Sequence, residues 1–250
     1  MRIIARLDVK NGNLVKTINL EGLRKIGSCK EYALKYMNEN VDEIFLSDPV
    51  ASLYDREPLF DLLDSITDDL FIPITISGGI RNISHIRRLL LIGADKIAIN
   101  TAAISNPEFI NEAVSLFGSQ SVAISIQAKN IDQKWKCFIN SGRDNTNIYL
   151  EDWLPEVESR GAGEIIITSI SKEGTFQGLD IELLRFISSL TNLPVTYSGG
   201  FGKLFDLNDL VKENLFISGL AIAGTLHYEK LTIKEIRNHA QRIGIDVRKL

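Results

Sequence analysis

The sequence predicts a closed (β/α)8 TIM barrel of the α/β class, built as a single domain. Short apolar segments alternate eight times with amphipathic helical segments along 250 residues, of which 44% are hydrophobic. The triplet Ser-Gly-Gly occurs at residues 77–79 and again at 198–200, each time after an apolar run and before a helical segment. The spacing of about 120 residues is too long for a solenoid repeat. It fits two similar half-barrels, about residues 1–120 and 121–250.

In the first half, apolar runs predict strands at residues 3–9, 43–48, 74–77 and 96–100. Helical periodicity predicts helices at 29–39, 59–70, 83–91 and 107–117. In the first of these helices Tyr32, Ala33, Tyr36 and Met37 form one apolar stripe. Pro107 suits the first turn of the fourth helix. The polar stretch 10–28 is predicted to be a long loop.

The second half repeats this order. Strands are predicted at residues 122–127, 164–168, 195–198 and 217–223, and helices at 150–160, 181–190, 204–213 and 233–243. A long excursion follows the fifth strand, and residues 135–139 within it suggest a small hairpin. Eight strands each followed by a helix favour a closed barrel over an open sheet.

Composition excludes several classes of function. The net charge is −4 with no block of like charge, so neither nucleic acid nor a membrane surface is an expected partner. The first residues are too charged for a signal peptide, and no apolar run reaches the roughly 20 residues that span a bilayer. Cys29 and Cys137 fit a reducing cytoplasm, with no disulfide. No residue pattern predicts a metal or a cofactor, and His85, His227 and His239 are expected in ordinary structural roles.

Barrel enzymes react at the carboxyl ends of their strands, where two acidic side chains stand out. Asp8 ends the first strand, with Lys10 and Lys16 nearby, and can act as a general acid or base. A strand-end cap or a salt bridge is the alternative role for Asp8. Asp48 ends the second strand, but Pro49 follows it, so a turn-forming role is as plausible as a catalytic one.

The two glycine turns predict phosphate binding. Gly78, Gly79, Gly199 and Gly200 leave backbone N–H groups bare at helix N-termini, where anions bind. Plain tight turns are the alternative. Asn100 and Thr101 end the fourth strand and can hydrogen-bond a phosphate or a hydroxyl group, or simply form a turn.

Four charged residues begin strands at the opposite end of the barrel. Alternation points several of them inward, and two acids with two bases can form an ion-pair ring. Such a ring is either a structural plug or a gate over a passage through the barrel. The four residues are Arg2, Glu43, Lys96 and Glu164.

The chain resembles the cyclase subunit (HisF) family of imidazole-glycerol-phosphate synthase along nearly its whole length. As a set, the matching stretches are specific. They are residues 7–12 (LDVKNG), 78–81 (GGIR), 93–96 (GADK), 99–103 (INTAA), 117–120 (FGSQ), 161–165 (GAGEI) and 198–200 (SGG).

The resemblance implies a lyase-type barrel that pairs with a glutaminase subunit on its N-terminal face and takes no cofactor. Ammonia from that partner crosses the barrel and reacts with a phosphoribulosyl carboxamide nucleotide. By position, the family's first catalytic aspartate is Asp8, its loop lysine is Lys16 and its strand-two aspartate is Asp48. The family's gate residues match Arg2, Glu43, Lys96 and Glu164, and its phosphate contacts match Gly78, Gly79, Asn100, Thr101, Gly174, Gly199, Gly200, Ala223 and Gly224.

Three departures lie at the reaction end. The family's second catalytic aspartate is Gln127 here, and an amide neither gives nor takes a proton near neutral pH. Loss of such a group typically costs about 10²–10⁴ in rate. The family's Asp-x-Asp-Gly loop reads Ser-Lys-Glu-Gly at residues 171–174, and Arg6 replaces a small residue. A buried Arg6 needs a counter-charge, for which Asp8 or Asp48 is the candidate, and it would narrow an ammonia path.

These departures leave three hypotheses. In the first, the chain belongs to a divergent branch that works with a glutaminase to convert sugar acetamido groups to acetamidino groups for surface glycans. In the second, it is an authentic cyclase of histidine biosynthesis, in which Glu173 or a water substitutes for Gln127. In the third, it is a non-catalytic scaffold that activates the glutaminase. A phosphorylated sugar or nucleotide is the expected ligand.

Overall fold

A computed structural model describes residues 1–249 as a closed barrel of parallel strands surrounded by helices. Its strands are β1 Arg2–Lys10, β2 Asn13–Ile18, β3 Glu21–Ser28, β4 Glu43–Ser47, β5 Ile74–Ser77, β6 Lys96–Ile99, β7 Val122–Ile131, β8 Lys134–Ile139, β9 Asp144–Tyr149, β10 Glu164–Ser169, β11 Val195–Ser198 and β12 Gly219–Ile222. The barrel runs β1-β4-β5-β6-β7-β10-β11-β12 and closes by pairing β12 with β1. The predicted fold class and all eight predicted barrel strands are confirmed.

Helices cover the outside of the barrel, and most fall where the periodicity predicts. They are α1 Cys29–Asn38, α2 Phe60–Thr67, α3 Ile83–Ile92, α4 Thr101–Ser105, α5 Glu108–Phe117, α6 Leu150–Ser159, α7 Ile181–Ser188, α8 Asn208–Lys212, α9 Gly224–His227 and α10 Ile233–Arg242. The sequence did not predict the one-turn helices α4 and α9. The predicted helix 204–213 divides into a 3-10 turn, Leu204–Leu207, followed by α8.

The prediction of a long loop over residues 10–28 is wrong. This stretch forms the antiparallel hairpin β2–β3, and β2 also pairs with the end of β1. Asn11 and Gly12 join β1 to β2 with positive φ angles of 50° and 71°, as a two-residue hairpin turn requires. Asn19 and Leu20 join β2 to β3 in the same way, with φ of 50° and 65°.

The excursion after the fifth strand is larger than predicted. β7 runs on past the barrel to Ile131 and pairs with β8, which in turn pairs with β9. Residues 135–139 are therefore the middle strand of a three-stranded extension and not a complete hairpin. Each half of the chain thus carries an antiparallel extension after its first barrel strand.

The barrel interior is layered. Alternate residues of each strand point inward, and a middle layer is apolar, with every member at most 3% exposed. That layer consists of Ile4, Phe45, Ala98, Ala123, Ile166 and Ala221. Below it lie the charged residues at the N-terminal ends of the strands, and above it lie polar residues at the carboxyl ends.

Met1 and the last segment that the structure describes, residues 246–248, lie on the N-terminal face. Arg237 of α10 and Arg248 of the terminal segment both contact Asp42 Oδ1, at 2.9 and 3.0 Å. Asp42 Oδ2 accepts from the backbone N–H of Ile3 at 2.7 Å, and the terminal ammonium of Met1 donates to the Asp246 carbonyl. The last segment is therefore tied to the first strand. Nowhere in residues 1–249 is a helix long and apolar enough to cross a membrane.

Candidate active site at the carboxyl end of the barrel

The two glycine turns face each other across the mouth of the barrel. They follow β5 and β11, which are four strands apart in the closed order of eight, so they lie at opposite sides. All four glycines have positive φ, from 71° at Gly79 to 118° at Gly199. No acceptor within residues 1–249 pairs with their N–H groups. Both turns therefore have N–H donors that could bind an anion, and phosphate binding there stays a prediction.

Packing also requires glycine at these turns. A Cβ on Gly78 would lie 2.5 Å from the Asp48 carbonyl oxygen, and one on Gly200 would lie 2.1 Å from the Gly178 carbonyl oxygen. The neighbouring loops after β4 and β10 fill the space that a side chain would take. The glycines therefore allow these loops to approach closely while the N–H groups stay free.

The turn after β5 opens into a cavity of about 340 Å³. Six of the predicted site residues line it together with Arg6: Asp48, Gly78, Gly79, Asn100, Thr101 and Gln127. The two antiparallel extensions cover the mouth, where Leu20, Phe138 and Ile170 form a small apolar cluster. Ser141 Oγ also donates to the Pro49 carbonyl across the mouth. The two extensions thus cover the cavity, and its volume is large enough for a phosphorylated sugar.

The turn after β11 borders a much narrower recess of about 20 Å³. The remaining predicted phosphate residues line it together with Lys16: Gly174, Gly199, Gly200, Ala223 and Gly224. Phe176 accounts for its size, because a Cβ on Gly224 would lie 2.8 Å from the Phe176 ring. Phe176 has a φ of 59°, and Lys230 Nζ lies 4.4 Å from its ring centroid. The two predicted phosphate sites are therefore unequal, one open and one nearly closed.

Asp8 does not line the cavity, because Arg6 lies between them. Arg6 Nε donates to Asp8 Oδ1 at 3.0 Å, and its Nη1 donates to Thr168 Oγ1 and Ser198 Oγ, each at 3.0 Å. Both charged side chains are buried, with Asp8 only 1% exposed. The guanidinium crosses the interior from β1 to β10 and β11, and its Cζ lies 5.7 Å from the centroid of the Phe45 ring. Of the two expected counter-charges, Asp8 is the one that pairs with Arg6.

A second ion pair lies beside the first. Lys16, on β2 and not in a loop, donates to Glu173 Oε1, and its Nζ is 4.0 Å from Asp8 Oδ2. Burial alone would lower the pKa of Arg6, but the charges of Asp8 and Glu173 outweigh it and raise that pKa. The four charges neutralise one another. Glu173 is held in this pair and lines the recess, away from the cavity that Gln127 lines.

His227 supports this cluster from behind, a role that the sequence did not predict. Its Nε2 lies 3.0 Å from the Arg6 carbonyl oxygen and its Nδ1 lies 2.7 Å from the Tyr36 hydroxyl. Burial, with the nearby Lys16 charge, lowers the pKa of His227 to about 3. The ring is therefore neutral, and a neutral ring satisfies both contacts by donating to the carbonyl and accepting from the hydroxyl.

Asp48 contributes a carboxylate to the cavity and also forms a turn. Its Oδ1 accepts from the Val50 N–H at 2.9 Å, and its Oδ2 lies 3.8 Å from Arg56 Nη1 without a hydrogen bond. Burial raises the pKa of Asp48, and the Val50 N–H and the Arg56 charge oppose that shift.

Two amide side chains at the cavity have unpaired oxygens. Gln127 Oε1 and Asn100 Oδ1 are both buried and have no hydrogen-bond partner within residues 1–249. The orientation of Asn100 is fixed, because its Nδ2 donates to the Phe138 carbonyl at 3.2 Å. Thr101 Oγ1 accepts from the Asn140 N–H at 3.3 Å, so the roof also contacts this strand end.

The four charged residues at the opposite end of the barrel form a connected network of ion pairs. Arg2 Nη1 contacts Glu43 Oε2 at 2.5 Å, and Glu164 pairs with both Arg2 and Lys96. Burial would raise the pKa of Glu164, but the charges of Lys96 and Arg2 lower it overall. Within residues 1–249 no group of three or more His, Cys, Asp and Glu side chains is placed to hold a metal ion.

Comparison with known proteins agrees with this architecture over the full barrel. A family profile described as "Histidine biosynthesis protein" matches residues 2–232. Relatives named "Imidazole glycerol phosphate synthase subunit HisF" include one from Legionella pneumophila, 46% identical over 209 residues, covering 83% of this chain and 99% of that protein. Another, from Thermotoga sp. (strain RQ2), is 40% identical over 248 residues, covering 99% of this chain and 97% of that protein. The chain belongs to the HisF family of histidine biosynthesis proteins.

Proposed function

We propose that this HisF-type subunit is the synthase side of a glutamine-dependent amidotransferase and that it acts in the cytoplasm. A glutaminase subunit docks on the N-terminal face and supplies ammonia. The Arg2–Glu43–Glu164–Lys96 network supports this proposal, because it places a charged ring where ammonia would enter and an apolar layer behind it. Neutral ammonia passes an apolar layer more easily than an ion does.

The acceptor of that ammonia is proposed to be an acetamido sugar of surface-glycan synthesis, converted to an acetamidino sugar. One observation carries this choice. Arg6 covers Asp8, and position 127 is an amide, so the cavity lacks both carboxylates that the cyclase reaction of the family uses. The general acid and the general base of that reaction are therefore both missing from the cavity in which the substrate would lie.

A complementation experiment tests the choice of pathway. A histidine auxotroph that lacks its cyclase subunit is transformed with this chain, and the control is the same strain carrying the Thermotoga HisF relative. The proposal expects growth on minimal medium only in the control. Robust growth with this chain would refute the sugar-amidation role.

An authentic cyclase in histidine biosynthesis is the second candidate, because the relatives are named as imidazole glycerol phosphate synthase subunits. It predicts turnover of the phosphoribulosyl carboxamide nucleotide with ammonia, followed by absorbance. If position 127 limits that reaction, Gln127→Asp should speed it by about 10²-fold or more. A variant no faster than the parent places the limit elsewhere, with the Arg6–Asp8 pair as the next position to change.

A non-catalytic role predicts a different pattern. A scaffold that only activates the glutaminase would stimulate glutamine hydrolysis equally with Asp8→Asn, and no amidated product would form with either protein. Formation of product by the parent complex would exclude this role.

A further inference from the structure

We propose that Arg6, Gln127 and Asn100 form a binding subsite for a neutral carboxamide or acylamino group at the floor of the 340 Å³ cavity. The inference rests on the proposed function in that it names the group by which this cavity would recognise its ligand. It assigns a ligand-binding role to Arg6, which the chemistry described above treats only as the partner of Asp8.

The donor of the subsite is Arg6 Nη2. The other guanidinium nitrogens are occupied, Nε by Asp8 and Nη1 by Thr168 and Ser198. Nη2 makes no hydrogen bond within residues 1–249, and Arg6 lines the cavity although it is only 4% exposed. A buried guanidinium fixed by three hydrogen bonds therefore directs one remaining N–H pair to the ligand.

The acceptors are the two unpaired amide oxygens. Asn100 cannot exchange its oxygen and nitrogen without losing the bond from Nδ2 to Phe138, so its Oδ1 stays an acceptor. Gln127 Oε1 is likewise buried and unpaired, and the Gln127 residue lines the same cavity. A buried polar atom without a partner costs about 1–3 kcal/mol, so these oxygens favour a ligand that donates to them.

The combination of donor and acceptors selects the ligand group. An ammonium group would donate to the amide oxygens but could not accept from Arg6 Nη2. A carboxylate would pair with Arg6 but would face the two amide oxygens and the unpaired Asp48 Oδ2. A neutral amide satisfies both sides, because its carbonyl accepts from Arg6 and its N–H donates to Gln127 or Asn100. A phosphate on the same ligand would contact the Gly78–Gly79 turn, which lines the same cavity.

Calorimetric titration of the purified chain with three probes tests the subsite. The probes are N-acetylglucosamine 1-phosphate, glucose 1-phosphate and glucosamine 1-phosphate, which differ only at one carbon. We expect the acetylated probe to bind about tenfold more tightly than glucose 1-phosphate, as one additional satisfied hydrogen bond implies, and the amine probe to bind most weakly.

Two variants test whether the preference for the acetylated probe depends on Gln127 and Arg6. The Gln127 side chain makes no hydrogen bond within residues 1–249, so Gln127→Met should not disturb the fold. Arg6→Lys keeps a positive charge beside Asp8 but removes the planar guanidinium and its free N–H pair. Both should reduce the tenfold preference to about twofold or less. Gln241→Met, at an exposed position on α10, is the matched control and should keep it.

Several outcomes would overturn the subsite. They are equal affinity of the parent for the acetylated and glucose probes, no measurable binding of the acetylated probe, or an unchanged preference in both variants. None of these results bears on the histidine complementation test. Conversely, growth of the auxotroph would refute the sugar-amidation role and leave a measured tenfold preference standing.

Discussion

Replacing Arg6 by methionine should destabilise the barrel strongly, because it leaves Asp8 as an uncompensated buried charge. Asp8 is 1% exposed, and the nearest remaining cation, Lys16 Nζ, is 4.0 Å away and already engaged by Glu173. Breaking a buried ion pair from one side typically costs about 3–5 kcal/mol. In a chain of this size that corresponds to a fall in Tm of about 10 °C.

The double variant Arg6→Met/Asp8→Asn separates this charge effect from lost packing. With the charge removed from both sides, the double variant leaves no unpaired buried charge. It loses the hydrogen bonds of Arg6 to Asp8, Thr168 and Ser198, at about 0.5–1.5 kcal/mol each, and the contact of Arg6 with the Phe45 ring. Urea unfolding of the parent, both single variants and the double variant gives the coupling energy, expected at about 3 kcal/mol. Two results would refute the assignment of Asp8 as the group that compensates the buried charge of Arg6. One is a free energy of unfolding for Arg6→Met within about 1 kcal/mol of the parent, and the other is additive effects of the two single substitutions.

Three further perturbations test other parts of the structure. His227 has a folded-state pKa of about 3 against the usual 6.5. Stability should therefore be full above pH 6.5 and fall as pH drops towards 3, by about 2 kcal/mol at pH 5, whereas His227→Gln should show a flatter urea-unfolding profile. Gly79→Ala should cost about 2–3 kcal/mol, because its Cβ would lie 2.7 Å from the Arg56 carbonyl oxygen; Gly12→Ala, with the same φ of 71° and open space, should cost only about 1 kcal/mol, and equal losses on thermal melting would contradict this. Glu164→Gln removes the carboxylate that both Lys96 and Arg2 contact and should lower unfolding stability at pH 7 by about 2 kcal/mol; an unchanged urea midpoint would argue against a stabilising network.

The sequence was sufficient for the barrel because its parallel strands are buried on both faces. Such strands appear as short apolar runs, and several end on a small polar residue, as the strands that end at Ser77 and Ser198 do. The hairpin β2–β3 was missed for the opposite reason. Its strand Glu21–Ser28 is polar and has no buried residue, so the apolar alternation is absent. The Asn11–Gly12 pair was the available signal, since this dipeptide favours a two-residue hairpin turn.

The sequence predicted which strand ends carry the candidate site residues, but it did not predict how their side chains contact one another. Alternation correctly placed Arg6 and Asp8 on the same interior side, yet only the structure shows the longer side chain folding over the shorter one. His227 contacts residues 36 and 6, which are far from it in the chain, so no local pattern marks it. Phe176 was missed because a single aromatic residue in a loop gives no indication of which glycine it covers.

The pairing of the first strand with the last has a consequence for how the chain folds during synthesis. β1 has one lateral neighbour in β4, but its other neighbour is β12, and Asp42 is secured by Arg237 and Arg248 near the end of the chain. A nascent chain that has left the ribosome only as far as residue 120 therefore carries two open parallel edges, at β1 and at β6. Such edges are sites where strands of other chains can pair. Protection of β1 must come from the second half of the chain, because β12 covers the open edge of β1 only after residues 219–222 have been made.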